Sequence, residues 1–207
     1  MDGIAHASER MYAPERRLPS KPMGGLMTLS IPGYDLRTQV RARDIQMTAS
    51  ADLSRRVLMI SGAIDTKDHD VAVTFLLPEA GRWQVIKSET NLSDAPWLTW
   101  QMTAGEGTHF VQDEQAMVVS QQFAKTFMTP DQKRITFYDG EVRPGEAVLK
   151  MFTIECTKRR GAASHARFQP APTESPKKIK DMIDHYVANG MPKKPVIEVV
   201  VPVTVIG

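Results

Sequence analysis

The strongest alternation of apolar and polar positions lies in the last stretch, Pro195 to Gly207. There Ile197, Val199, Val201, Val203 and Val205 are all β-branched and fall on one face of a pleat. The opposite face is mixed and includes Pro202, which cannot donate to a ladder and therefore predicts an edge position or a bulge. A strand with one such apolar face needs a partner, either in its own domain's sheet or in that of a neighbouring subunit.

Earlier in the chain, residues 1–25 carry Pro14, Pro19, Pro22, Gly24 and Gly25 among charges and show no apolar period, which predicts an extended N-terminal arm. From Leu26 the pattern becomes strand-like. Short turn-bounded strands are expected at 26–31, 38–48 (with a bulge near Arg43-Asp44), 56–61, 70–77, 82–86 and 97–102. Between Asp113 and Met128 the period changes. Ala116, Val119, Phe123 and Phe127 form a helical stripe, Asp113 can cap it and Thr129-Pro130 can stop it, so an internal helix is expected, with a strand as its rival.

A hairpin is expected next, with strands at 134–138 and 147–157 joined across Asp139-Gly140 and Pro144-Gly145. Val148, Phe152, Ile154 and Cys156 share a face of its second strand, interrupted only by Lys150, which makes Cys156 a buried spacer rather than a nucleophile. Residues 159–174 are basic, proline-containing and otherwise small, and predict a linker. Ser175-Pro176 then starts a helix and Gly190 ends it, with Ile179, Met182, Ile183, Tyr186 and Val187 on one face. A helix of this length is unstable alone and must dock on something.

The expected fold class is therefore mainly β: an antiparallel β-sandwich or barrel over residues 26–158 with one internal helix, followed by the 159–174 linker and a C-terminal arm at 175–207 of amphipathic helix and terminal strand.

Composition adds few constraints. A hydrophobic share of 42% in 207 residues supplies a sizeable core, and no apolar run approaches the roughly 20 residues of a membrane-spanning helix. The start of the chain lacks a basic segment followed by an apolar one, so no secretory signal is expected. The single cysteine excludes an intrachain disulfide, and the expected setting is the cytoplasm or an assembled particle. The net charge of +2 is unevenly distributed: +1 over residues 1–25, −4 over 26–155 and +5 over 156–207. Lys158, Arg159 and Arg160, with Lys177 and Lys178, form a basic patch that an acidic protein surface or a phosphate backbone could use. No nucleic-acid recognition motif accompanies it, so nucleic acid is a possible but not a favoured partner.

The five histidines, His6, His69, His109, His165 and His185, have no metal or catalytic neighbour at recognisable spacing. In Asp68-His69-Asp70 alternation puts both carboxylates opposite the imidazole. Gly105-Glu106-Gly107 lacks the lysine and helix of a nucleotide loop, and no nucleophile elbow is present. No cofactor, metal or catalytic residue is expected.

Two functions lead. The first is a non-enzymatic structural or assembly protein, a virion, tail or secretion-type component, that joins itself or other protein subunits through its arms. Its contact residues are Ile179, Met182, Ile183, Tyr186, Val199, Val201 and Val203. The alternative is a small-molecule-binding β-barrel with Trp83, Trp97 and Trp100 lining a pocket. An enzyme using His69 or His109 is a weaker third.

Overall fold

The terminal strand is the seam of the molecule. In a computed structural model that describes residues 28–30 and 45–206, thirteen strands and one helix follow one another. They are β1 (Thr28–Ser30), β2 (Ile45–Asp52), β3 (Val57–Ile64), β4 (Asp70–Leu76), β5 (Gly81–Asn91), β6 (Thr99–Ala104), β7 (Thr108–Phe110), β8 (Val119–Ser120), β9 (Phe123–Met128), β10 (Arg134–Gly140), β11 (Ala147–Cys156), β12 (Gly161–Phe168), α1 (Pro176–Asn189) and β13 (Val196–Ile206). Eleven strands form one open, curled half-barrel sheet in the order β7-β11-β5-β3-β2-β13-β4-β12-β6-β10-β9, with β1 paired to β13 and β8 to β11. The mainly β fold class with a C-terminal helix and a terminal strand is thus the observed one.

β13 lies in the middle of this order, not at an edge. Residues 196–202 run parallel to β4, and residues 203–206 run parallel to β2. Pro202 falls where the strand passes from one partner to the other, a point at which a missing N–H costs no ladder bond. The edge expected from Pro202 is therefore corrected. The face expected to be buried is buried at Ile197, Val199 and Val201, half-buried at Val203, and reaches solvent at Val205.

Three further expectations change. The stripe at 113–128 is not a helix: β8 and β9 occupy it, and β9 pairs with β10 from Met128↔Ile135 to Phe123↔Gly140. Asp113 binds the Arg82 guanidinium (2.6 and 3.0 Å) instead of capping a helix that continues. An unbroken strand with Val119, Phe123 and Phe127 facing inward would also bury Gln121 and Lys125. The chain breaks strand pairing at 121–122, and Lys125 lies exposed beside Asp139 at 2.9 Å.

The expected hairpin also does not form. β10 pairs with β6 and β9, while β11 pairs with β5, β7 and β8, because the connection is held by Trp97, whose N–H and C=O bond Val142 (3.0 and 2.9 Å). The 159–174 segment is not a linker throughout, since β12 sits centrally between β4 and β6. Its small residues allow close packing: a Cβ on Gly105 would come within 2.7 Å of the Ala162 Cβ. The N-terminal arm at 1–25 and the bulge near Arg43-Asp44 lie outside the described residues.

α1 begins as its sequence predicts. Ser175 Oγ accepts from Lys178 N (3.3 Å), Pro176 occupies the first turn, and Gly190 (φ +88°) closes the end. Ile179, Met182, Ile183, Tyr186 and Val187 are half-buried against the outer face of the chain's own sheet. Tyr186 meets Phe168 of β12 edge-on at 5.2 Å, and Arg134 of β10 donates to the carbonyls of Val187 (3.1 Å) and Ala188 (2.8 Å), the favourable end of the dipole for a cation. The helix thus touches its own chain through Tyr186 and its last turn, and none of its side chains is fully buried.

The core fills the concave side of the sheet. Ile45, Leu58, Val73, Trp83, Val85, Phe110, Phe137, Phe152 and Ile197 belong to one continuous cluster drawn from both halves.

Candidate functional site: a buried cationic centre

The inward alternation of β5 begins with Trp83 and Val85 and continues with Lys87, Glu89 and Asn91. On β11 the same parity gives Val148, Lys150, Phe152 and Ile154, and on β12 it gives His165 and Arg167. Strand period alone therefore delivers three cations, one carboxylate and one imidazole to the concave face. β11 and β5 pair in a register that sets Lys150 opposite Lys87 and Val148 opposite Glu89.

Glu89 lies between the two lysines. Its Oε2 accepts from Lys150 Nζ at 2.6 Å, and its Oε1 contacts Lys87 Nζ. Lys150 and Glu89 have no solvent exposure, and Lys87 has 1%. Gly62, opposite Glu89 in the β3–β5 register, leaves room for this carboxylate: a Cβ there would come to 3.4 Å from Glu89 Cγ and 3.0 Å from the Gln46 carbonyl.

Two tryptophans floor the cluster. Trp97 and Trp100 stand 5.0 Å apart between ring centroids. Lys150 Nζ lies 3.7 Å from the Trp100 centroid, Lys87 Nζ 5.8 Å and the Arg167 guanidinium 5.9 Å, while His165 packs on the same ring at 5.6 Å. One edge of Arg167 is spent on the 66–69 loop, where Nη2 donates to the Thr66 carbonyl (3.0 Å), Thr66 Oγ1 (3.2 Å) and the His69 carbonyl (2.9 Å). Its Nε and Nη1, the indole N–H groups of Trp97 and Trp100 and both ring nitrogens of His165 are buried without a hydrogen-bond partner among the described residues.

Charge follows burial. Lys87 is held well below the usual lysine range by desolvation, then by Lys150 and Arg167. Lys150 is lowered well by desolvation and then Arg167. His165 is lowered well by desolvation and by all three cations, and desolvation brings Arg167 down to about 10. Among the described residues Glu89 is the one carboxylate touching Lys87 and Lys150, and burial with cation–cation repulsion outweighs it.

A cavity of about 20 Å³ opens beside Lys87 and His165, with Thr108, Phe110, Met102 and Ile154 among its walls. Its volume admits about one water-sized group. A larger cleft of about 350 Å³ lies against Lys67, Asp68, Asp94, Gln169 and Lys194.

Of the residues singled out in the sequence, Trp97 and Trp100 belong to the centre. Trp83 does not: its indole donates to the Glu79 carbonyl (3.1 Å) and Arg56 stacks on it at 4.3 Å. His109 sits on β7 opposite Glu155, and the histidine the fold buries is His165. Lys158, Arg159 and Arg160 occupy the turn before β12, whereas Lys177 and Lys178 follow β12 in the first turn of α1, where Lys178 pairs with Glu174 at 2.7 Å. Cys156 is buried, and burial pushes its thiol up. Lys87, Glu89, Lys150, His165 and Arg167 were missed as a site. The available signal was a charge at the parity of an otherwise apolar face, as at Lys150.

Among the described residues no group of three His, Cys, Asp or Glu side chains could hold a metal ion, and no helix is long and apolar enough to cross a membrane.

Fold and centre together define a mainly β protein, a curled half-barrel with a cationic, tryptophan-floored interior. The chain belongs to a family described as a "Family of unknown function (DUF6423)", whose model matches residues 47–207. No curated protein and no solved structure matches it significantly.

Proposed function

We propose that this protein binds a small organic anion inside its half-barrel. One observation carries the reading: the interior offers buried donors in excess of acceptors. Among the described residues Lys87 and Lys150 share one contacting carboxylate, Glu89, Arg167 hydrogen-bonds only Thr66 and the His69 carbonyl, and its Nε/Nη1 edge and two indole N–H groups are unspent. A buried donor without a partner costs about 1–3 kcal/mol, so an acceptor-rich ligand gains by satisfying several at once. Trp97 and Trp100 would flank its apolar body.

Titrating small carboxylic acids and their neutral amides against tryptophan fluorescence and thermal unfolding tests this. Saturable quenching and a raised melting temperature are expected for acids only. An equal response to the amides, or none to the acids, refutes it.

A second reading, self-association or joining to other protein subunits in the cytoplasm or in an assembled particle, draws on one observation. Leu76, Val205 and Ile206 are exposed at the end of the β13 seam. Sedimentation as a monomer at high concentration would remove it.

A further inference from the structure

We propose that the cleft of about 350 Å³ at the end of the sheet binds a small zwitterion of amino-acid type, a free α-amino acid or a dipeptide, with its carboxylate on Lys194 and its ammonium on Asp68. This site lies outside the buried cationic centre and does not depend on the anion-binding reading.

Four connections meet at this cleft. Lys67 and Asp68 come from the loop before β4, Asp94 from the loop after β5, Gln169 and the prolines 170 and 172 from the segment between β12 and α1, and Lys194 from the residues leading into β13. The two prolines fix φ and stiffen one wall. The volume equals the share of about ten water molecules in the liquid, which accommodates a free amino acid or a dipeptide.

The charges select the ligand. Lys67, Lys194, Asp68 and Asp94 sum to zero, so the cleft favours neither a net anion nor a net cation. Lys67 and Asp94 cancel as an ion pair, which leaves one ammonium and one carboxylate. Among the described residues the Asp68 carboxylate has no hydrogen bond or ion pair, and the one bond of Lys194 Nζ is to the Lys67 carbonyl at 2.5 Å. An ammonium carries three donors, so two remain open. Lys194 is held at both ends, because its main-chain N–H donates to Asp70 Oδ2 at 3.2 Å. Burial and then the Arg167 charge lower the Lys194 ammonium, while Asp70 and Asp68 act the other way without forming an ion pair with it. Asp68 is thus felt by Lys194 across a gap. Opposite charges that do not close on each other are bridged by a molecule carrying a carboxylate and an ammonium, each making a charge-assisted bond. Gln169 adds an acceptor: its Nε2 is spent on Ser93 Oγ (2.6 Å) and the Ala95 carbonyl (3.2 Å), which leaves Oε1 for a ligand N–H. A simple carboxylic acid would gain Lys194 but nothing from Asp68.

Titration calorimetry of the full chain at pH 7 with alanine and alanylalanine, and with N-acetylalanine and alaninamide as their singly charged counterparts, tests the assignment. Saturable binding is expected for at least one zwitterion, and the tighter of the two tells amino acid from dipeptide. The singly charged compounds should bind about tenfold more weakly or worse. Asp68→Asn and Lys194→Gln should each weaken zwitterion binding by about tenfold. Asp68 is exposed and ties no other residue, so Asp68→Asn decides the matter even if Lys194→Gln does not fold. No binding of either zwitterion, equal binding of a singly charged counterpart, or binding undiminished by Asp68→Asn overturns the proposal. The anion-binding reading is judged by tryptophan quenching and melting temperature with simple acids and does not involve Asp68, so either can fail while the other stands.

Discussion

Lys150 donates to Glu89 at 2.6 Å across the β11–β5 ladder, with both side chains sealed from solvent. Glu89 also touches Lys87, so a single carboxylate serves two cations. Removing one partner of a buried ion pair strands the other's charge, which costs about 3–5 kcal/mol. Glu89→Gln leaves both lysines without a contacting anion and is expected to lose that much in urea unfolding at pH 7. Lys150→Met leaves Glu89 paired with Lys87 and should cost less. Equal losses for the two variants would contradict the shared-carboxylate geometry.

His165 gives stability a pH dependence. Its folded-state pKa lies well below the ordinary 6.5, so as pH falls below that value the unfolded chain takes a proton that the folded one refuses. Stability is therefore present above about pH 6.5 and is lost below it, at up to about 1.4 kcal/mol per pH unit, until the folded pKa is reached. Urea midpoints at pH 7.5 and 5.5 should show this dependence in the parent and a smaller one in His165→Phe, since the lowered Lys87 and Lys150 act in the same direction.

Arg167→Lys is expected to act as a severe change. A lysine cannot reproduce three bonds from one guanidinium nitrogen while leaving a second edge free. A loss of about 2–3 kcal/mol is expected, together with faster amide exchange across residues 65–69.

Truncation at residue 160 removes β12 and β13, two interior strands of the sheet, along with α1. The shortened chain should lose its near-ultraviolet circular dichroism. A milder change, Tyr186→Ala, removes the edge-on contact with Phe168 and should cost about 1–2 kcal/mol with the sheet intact.

The alternation that marked Cys156 as buried also marked Lys150, and the same parity extended from Trp83 and Val85 reaches Lys87 and Glu89. Each charge was legible as an interruption of an apolar face. Their meeting was not, because Lys150 and Glu89 are 61 residues apart and nothing local to either strand says that β11 pairs with β5 rather than with β10. His165 and Arg167 were hidden for another reason. Ala162, Ala163 and Ala166 around them are small, and a strand packed closely between two neighbours resembles a linker when only bulk is read.

By itself the sequence determined what depends on neighbours a few residues away. It set the Ser175 cap, the Gly190 stop and the docking face of α1, the strand period through most of the body, and the inward face of β13. Tertiary structure alone decided which strands adjoin. It turned an apparent arm into the seam between β2 and β4, and it gathered Lys87, Glu89, Lys150, His165 and Arg167 from β5, β11 and β12 onto one concave surface. A strand's period is a property of its own backbone. Its partner is chosen by competition among all the faces in the chain that must be buried at once.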